Sequence, residues 1–272
     1  MKPAAIGVVL RSLLLAVMPV FLAGCPYVPP ETRNPHLTLT EPVTKNSYCI
    51  YVPSYYSDDR DWPLVVTLHG TKNPYDGQVR QILEWKDIAE QYGLIVVAPN
   101  LESTQGYIPA VPSVLRADHD KLARDEKVIL SVIQDVRRKR RIARRPPGAD
   151  GMPGKDLVLL TGFSSGGFPL FYVGLRNPDL FDMLIARDCN CTTEMLESIA
   201  LTDEARKLPI LIFWGRDDLE TIRDQSWAAF RFLREHEFYG TERKSTQGGH
   251  LRRPDVAWRE WSKRLPKEYR GE

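Results

Sequence analysis

Three residue types at the ends of apolar runs give this chain the parts for nucleophilic chemistry. Gly162-Phe163-Ser164-Ser165-Gly166 follows Leu157-Val158-Leu159-Leu160 and precedes a helical pattern. A serine between two glycines in that setting fits a sharp strand-to-helix turn, where only small neighbours let the chain bend and the hydroxyl stands clear. Ser164 is the expected nucleophile, because the rival Ser165 lacks glycines at both flanking offsets. A serine hydroxyl needs a base to take its proton. In the chain order serine, acid, histidine, only His236 and His250 come late enough among the five histidines. His236 falls in a helical stretch, whereas His250 ends the flexible Gln247-Gly248-Gly249 and is the expected base. Between them, Gly215-Arg216-Asp217-Asp218 closes the apolar run 210–214 with two carboxylates. Either one is placed to hold an imidazole in one tautomer and to stabilise its cation. A negative charge developing on substrate also needs backbone N–H donors. Ser165, just after the nucleophile, should give one, and Thr71, after Leu68-His69-Gly70, the other. His69 reads as a structural or pocket residue, and Tyr107 and Trp214 as pocket residues.

Holding these groups in register requires a sheet. Residues 63–68, 94–98, 157–160, 183–186 and 209–214 are short, nearly continuous apolar runs, the pattern of strands buried on both faces of a parallel sheet. Between them, helical spacing predicts helices over 76–92, 119–141, 168–176, 226–237 and 254–265. Strands alternating with helices mean an α/β fold around a mostly parallel sheet. Residues 47–52 alternate weakly and predict an edge strand. The polar stretch 101–117 is long enough to be a functional loop.

The composition is that of a folded domain, 43% hydrophobic and 26% charged over 272 residues. A net charge of +2 gives no electrostatic reason to expect nucleic acid. The basic run Arg137-Arg138-Lys139-Arg140-Arg141, followed by Arg144-Arg145, sits at a predicted helix C-terminus, where cations complement the dipole and stay solvated; the alternative is contact with anionic lipid. Ahead of the sheet, Lys2 and Arg11 flank an apolar run that ends at Leu22-Ala23-Gly24-Cys25. A positive start, a short apolar run and small residues describe a secretory signal over 1–24. The last four residues resemble a bacterial lipobox, which would lipidate Cys25 and tether the protein through a Pro-rich segment, 25–46. Export then allows disulfides. Cys49, Cys189 and Cys191 are read as buried thiols, or as one disulfide to Cys49. The one-residue spacing of Cys189 and Cys191 does not suit zinc.

Leu64–Gly70 (LVVTLHG), Trp85–Pro99 (WKDIAEQYGLIVVAP), Gly162–Gly167 (GFSSGG) and Asn177–Phe181 (NPDLF) together resemble the polyhydroxybutyrate-depolymerase-like esterases. That group includes feruloyl and acetyl-xylan esterases within the α/β-hydrolase superfamily. The resemblance spans roughly 47–265. It implies an α/β-hydrolase fold, a mostly parallel central sheet with helices on both faces, in a catalytic domain over 47–272. It implies no metal and no cofactor. It puts the acid three residues after the glycine, at Asp218, and matches His250 to the family's Gly-His. Trp214 stands where such enzymes often carry histidine, and Thr71 replaces a frequent cysteine. The expectation is an exported, membrane-anchored serine esterase acting on a small-molecule or polymer ester through Ser164, His250 and Asp218. The alternatives are a serine peptidase and a non-catalytic surface-binding lipoprotein on a hydrolase scaffold.

Overall fold

The apolar runs do lie side by side. A computed structural model of the chain describes residues 36–71, 77–105, 117–147 and 154–270. Its eight strands are β1 (Leu37–Thr40), β2 (Ser47–Tyr51), β3 (Leu64–Leu68), β4 (Ile95–Pro99), β5 (Val158–Phe163), β6 (Met183–Arg187), β7 (Ile210–Gly215) and β8 (Thr241–Thr246). They form one sheet in the order β1-β2-β4-β3-β5-β6-β7-β8, antiparallel from β1 through β4 and parallel thereafter. Every residue of β3 to β7 is buried.

Alternation along each strand sorts the side chains between two cores. Leu64, Val66, Leu160, Leu184 and Ile212 point to one face, under α2 (His119–Lys139), α3 (Gly167–Arg176), the short α4 (Thr193–Glu197) and α5 (Asp203–Arg206), and α6 (Glu220–Glu235). Val65, Leu159, Ile185 and Phe213 point to the other, under α1 (Gln78–Tyr92) and α7 (Pro254–Ser262), where Trp85, Trp258 and Trp261 fill the space. The strand order reverses at β3. Loops leaving β3 and β5 therefore run to helices on opposite faces, and the crevice between them opens at the carboxyl ends of the strands.

Three expectations need correcting. The Pro-rich tether does not extend to residue 46: Leu37–Thr40 is strand β1, paired with β2. Glu41 is fully buried beyond it and accepts N–H groups of Val43, Thr44 and Asn46 at 2.7–2.9 Å. Residues 47–51 are consequently not an edge, because β1 covers them. Strand β8 is absent from the apolar pattern, since Thr-Glu-Arg-Lys-Ser-Thr is polar; a charged edge strand of this kind resists pairing with another chain. The predicted helix 226–237 begins earlier, at Glu220.

The basic run at the end of α2 is partly paired within the fold, six of its seven cations sharing four carboxylates. Arg137 and Arg144 meet Asp156, Arg138 and Lys139 meet Asp135, Arg141 meets Asp61 and Arg145 meets Asp182, all within 3.3 Å. Arg140 stacks on Tyr56. The cysteines follow the thiol reading: Cys49, Cys189 and Cys191 are free and buried. The signal segment, Cys25 and Tyr107 lie outside the described residues.

Candidate active site

Ser164 begins a single 3-10 turn, Ser164–Gly166, between β5 and α3, and its backbone is left-handed, with φ 53°. A side chain in that region costs roughly 1–3 kcal/mol and persists only where its surroundings over-determine it. Here they do. A Cβ at Gly162 would come within 2.4 Å of the Gly166 carbonyl, and one at Gly166 within 2.6 Å of the Leu68 carbonyl, so both flanking positions require glycine. From the far side, Asn190 N–H donates to Ser164 O at 2.9 Å and the Cys189 thiol to Gly162 O at 3.0 Å. Ser164 itself is half-buried, at the start of the turn that leads into α3.

Asp218 and His250 meet across two loops. The turn after β7 bends back through Asp218 N–H to Gly215 O, and Asp217 N–H binds Gly248 O at 3.0 Å, which fastens the His250 loop to the acid loop. His250 Nδ1 lies 2.9 Å from Asp218 Oδ1 and 3.2 Å from Oδ2. The Asp218 side chain is 0% exposed and that of His250 29%, so the pair joins a dry acid to a base that reaches solvent. Asp217, its neighbour, is exposed. Burial works against ionisation of Asp218, but hydrogen bonds from His250, Asp188 and Leu219 N–H outweigh it and hold the carboxyl below its ordinary range. An ionised carboxylate only accepts, so the proton between them belongs to Nδ1 and leaves Nε2 as an acceptor. The imidazole packs against Phe163, the residue before Ser164, with ring centroids 4.7 Å apart.

The two expected oxyanion residues also come together. Thr71 Oγ1 lies 3.2 Å from Ser165 Oγ, which in turn donates to Thr104 O at 3.3 Å. His69 is not a pocket residue. It is fully buried, Leu101 N–H donates to its Nε2 at 3.0 Å, and Nδ1 donates to Gly70 O at 2.8 Å. Its ring therefore pins the loop after β3 to residues 101–105, which the buried Asp125 carboxylate grips through the N–H groups of Glu102 and Ser103. Trp214 is 5% exposed and packs in the core beneath α6, with its ring 6.1 Å from that of Trp227.

Sequence reasoning passed over two residues at the end of β6. Arg187 is fully buried and donates to Thr161, Thr67, Gln81 and the Arg252 carbonyl at 2.8–3.0 Å. Arg252 pairs with Glu84 at 2.7 Å and lies over Phe163, so the chain just past His250 is tied to the back of the sheet. Asp188 follows, fully buried and left-handed, with φ 49°. Its Oδ1 accepts Gly215 N–H at 2.7 Å. Polar atoms of Asp188, Asp218 and His250 all lie within 4.8 Å of one another. That set has ligand chemistry for a cation, yet the N–H groups of His250, Leu219 and Gly215 already occupy it. The available signal was two charged residues directly closing a fully apolar strand.

No protein-family model matches the sequence, and no curated protein matches it. Solved structures do resemble the fold. Fluorophosphonate-binding serine hydrolase F of Staphylococcus aureus aligns with a TM-score of 0.57 at 14% identity, over 84% of this chain and 96% of that one. A ferulic acid esterase of the anaerobic fungus Anaeromyces mucronatus aligns with a TM-score of 0.55 at 15% identity, over 80% and 84%. A thermostable esterase aligns with a TM-score of 0.51 at 20% identity over 80% of this chain, which spans only 55% of that one. These likenesses and the strand order together make the fold an α/β-hydrolase fold.

Proposed function

We propose that this protein is a serine hydrolase of carboxylic esters. The observation that carries the reading is the His250 Nδ1 contact with the buried Asp218 carboxylate, 2.9 Å, its ring packed on Phe163, the residue before a strained serine that both flanking glycines make possible. In the reaction, Ser164 Oγ attacks the ester carbonyl as His250 Nε2 takes its proton. The N–H groups of Ser165 and Thr71 hold the oxyanion, and Asp218 stabilises the imidazolium. His250 then protonates the departing alcohol, leaving an acyl group on Ser164. Water attacks that acyl-enzyme with His250 again as base, and the acid is released. An esterase of this type fits the similar structures, which are esterases and a fluorophosphonate-binding serine hydrolase.

Leu22-Ala23-Gly24-Cys25 supports a second part of the proposal, export and lipid anchoring through Cys25. Among the described residues no helix is long and apolar enough to cross a membrane. The enzymatic reading is tested with a fluorophosphonate probe and a series of p-nitrophenyl esters of rising chain length, alongside feruloyl and acetyl-sugar esters. Wild-type protein should be labelled and should turn over at least one ester, while Ser164→Ala should do neither. An unlabelled, inert wild type means a non-catalytic scaffold.

A further inference from the structure

Asp188 and Asp218 end adjacent strands, buried on both sides, with their carboxyl groups facing each other. Asp218 accepts from His250 and Leu219 N–H, and Asp188 Oδ1 accepts from Gly215 N–H. The remaining oxygen, Asp188 Oδ2, is buried and meets no donor among the described residues, and carboxylate oxygens of Asp188 and Asp218 lie within 4.8 Å of each other. Two carboxylates that close in a dry site cannot both ionise, so one proton must lie between them. Asp218 has the donors that favour its anion. The proton therefore belongs to Asp188.

We propose that Asp188 is a positioning residue that stays protonated and donates its Oδ2–H to Asp218, so that a neutral carboxylic acid holds the anion that orients His250. The proposal rests on the esterase reading above for its catalytic part only. Its geometry explains two features together. The left-handed backbone at Asp188 turns the side chain across the end of β7, and Gly215 N–H fixes which oxygen is left to donate. The charged and titratable groups facing Asp188 are Asp218 on the β7 loop, His250 and Arg253 on the loop before α7, and the neighbouring Cys189 thiol. Burial first, and then the shared hydrogen bond with the Asp218 anion, push the Asp188 carboxyl well above its ordinary range, against a smaller opposing effect of Gly215 N–H and Arg253.

Asparagine copies the proposed state: its Oδ1 accepts from Gly215 and its Nδ2–H donates to Asp218 without ever ionising. Asp188→Asn should therefore keep kcat within a few-fold of wild type at pH 7 on an activated ester. Asp188→Ala removes the donor and should lower kcat about 10- to 100-fold, the range for losing one hydrogen bond to a buried charge. Stability against pH gives a readout independent of catalysis. A carboxyl whose folded pKa is raised contributes stability that is full below about pH 4 and is lost as pH rises toward the raised value. Asparagine has no such loss. Between pH 5 and 7 the unfolding constant of wild type relative to Asp188→Asn should thus rise with pH, by up to about tenfold per unit.

The measurements are denaturant melts at pH 5, 6 and 7, and kcat, for wild type, Asp188→Asn, Asp188→Ala and Asp218→Asn. If the stability gap between wild type and Asp188→Asn stays constant between pH 5 and 7, Asp188 is already an anion there and the proposal fails. It fails equally if Asp188→Asn is as crippled as Asp218→Asn, or if Asp188→Ala keeps full kcat. An inert wild type overturns the esterase reading instead, and leaves the pH-dependence of the melts to decide where the proton lies.

Discussion

Gly215 offers a direct test of whether the His250 loop is held by close packing. It is the last residue of β7, and a Cβ added there would stand 2.3 Å from the carbonyl oxygens of both Gly248 and Gly249. Ordinary contact between such atoms begins near 3.4 Å, so in Gly215→Ala the loop must withdraw by about 1 Å. Those two carbonyls belong to the residues just before His250. The withdrawal also stretches the 3.0 Å bond from Asp217 N–H to Gly248 O that fastens this loop to the acid loop. A displacement of about 1 Å in a reacting group costs about 10²-fold in rate. Overpacking by one methyl costs about 1–3 kcal/mol, roughly 2–12 °C in Tm for a domain of this size. The control is Gly240→Ala at the start of β8, whose Cβ would find nothing nearer than 3.8 Å. It should stay within about 0.5 kcal/mol of wild type, as surface changes do. Steady-state kcat on an activated ester and the rate of fluorophosphonate labelling should both drop in Gly215→Ala and not in Gly240→Ala. Equal rates in the two variants at 25 °C would refute the claim that this packing positions the base.

The acid assignment is separable: Asp218→Asn should lower kcat by about 10⁴-fold, as loss of the correct imidazole tautomer does in a serine protease, whereas the exposed Asp217→Asn should cost about tenfold at most. A crippled Asp217→Asn beside a near-normal Asp218→Asn reverses the assignment. Glu41 tests the edge of the sheet. Burial opposes its ionisation, but hydrogen bonds from Ser131, Thr44 and the N–H groups of Asn46 and Val43 win and pull its carboxyl down to about 2. That contribution to stability is present above about pH 4.5 and is lost as pH falls toward 2, so the Tm gap between wild type and Glu41→Gln should close between pH 6 and pH 3. A constant gap would mean that the ionised state of Glu41 does not stabilise the fold. For the anchor, Cys25→Ser should release the protein from bacterial membranes with esterase activity intact, as read by fractionation and a soluble ester assay. Retention of that variant in the membrane fraction removes the lipoprotein proposal.

What could be read from the sequence follows from how each element is buried. The five central strands β3 to β7 are apolar on both faces, so a continuous run marks each of them, and the structure sets their bounds within three residues. Helices α1 and α2 show one apolar stripe each, and α3 is apolar and buried almost all round, so all three are equally plain. Strand β8 is not, because an edge strand that pairs on one side satisfies its backbone without needing apolar side chains; Thr241–Thr246 exposes or half-exposes five of its six residues. Strand β1 is hidden for the same reason, with only Leu39 packing against the core. Ser164 and the Gly248-Gly249-His250 turn were legible because glycines mark places where backbone approaches backbone. His69 was not, because nothing in the local sequence separates a histidine that faces a pocket from one whose two nitrogens are absorbed by the loops around it.

Arg187 and Asp188 show the remaining limit, and it is physical. In a parallel sheet, the residue at the carboxyl end of a strand leaves the apolar layer and enters the crevice, so its identity is set by what converges on that point from other strands. Arg187 is fully buried because Thr67, Thr161, Gln81 and the Arg252 carbonyl, from four other segments, satisfy its donors. Asp188 sits where it does because Gly215, at the end of the neighbouring strand, supplies an N–H and Asp218 supplies an acceptor. Neither set of partners is near in sequence. A buried charge adjoining an apolar run signals only that compensation exists elsewhere, since leaving it unpaired would cost several kcal/mol. The nature of that compensation distinguishes the two residues. Arg187 is met by acceptors and holds the chain that follows His250. Asp188 is met by one donor and one acceptor, and a carboxyl group in that position must carry a proton.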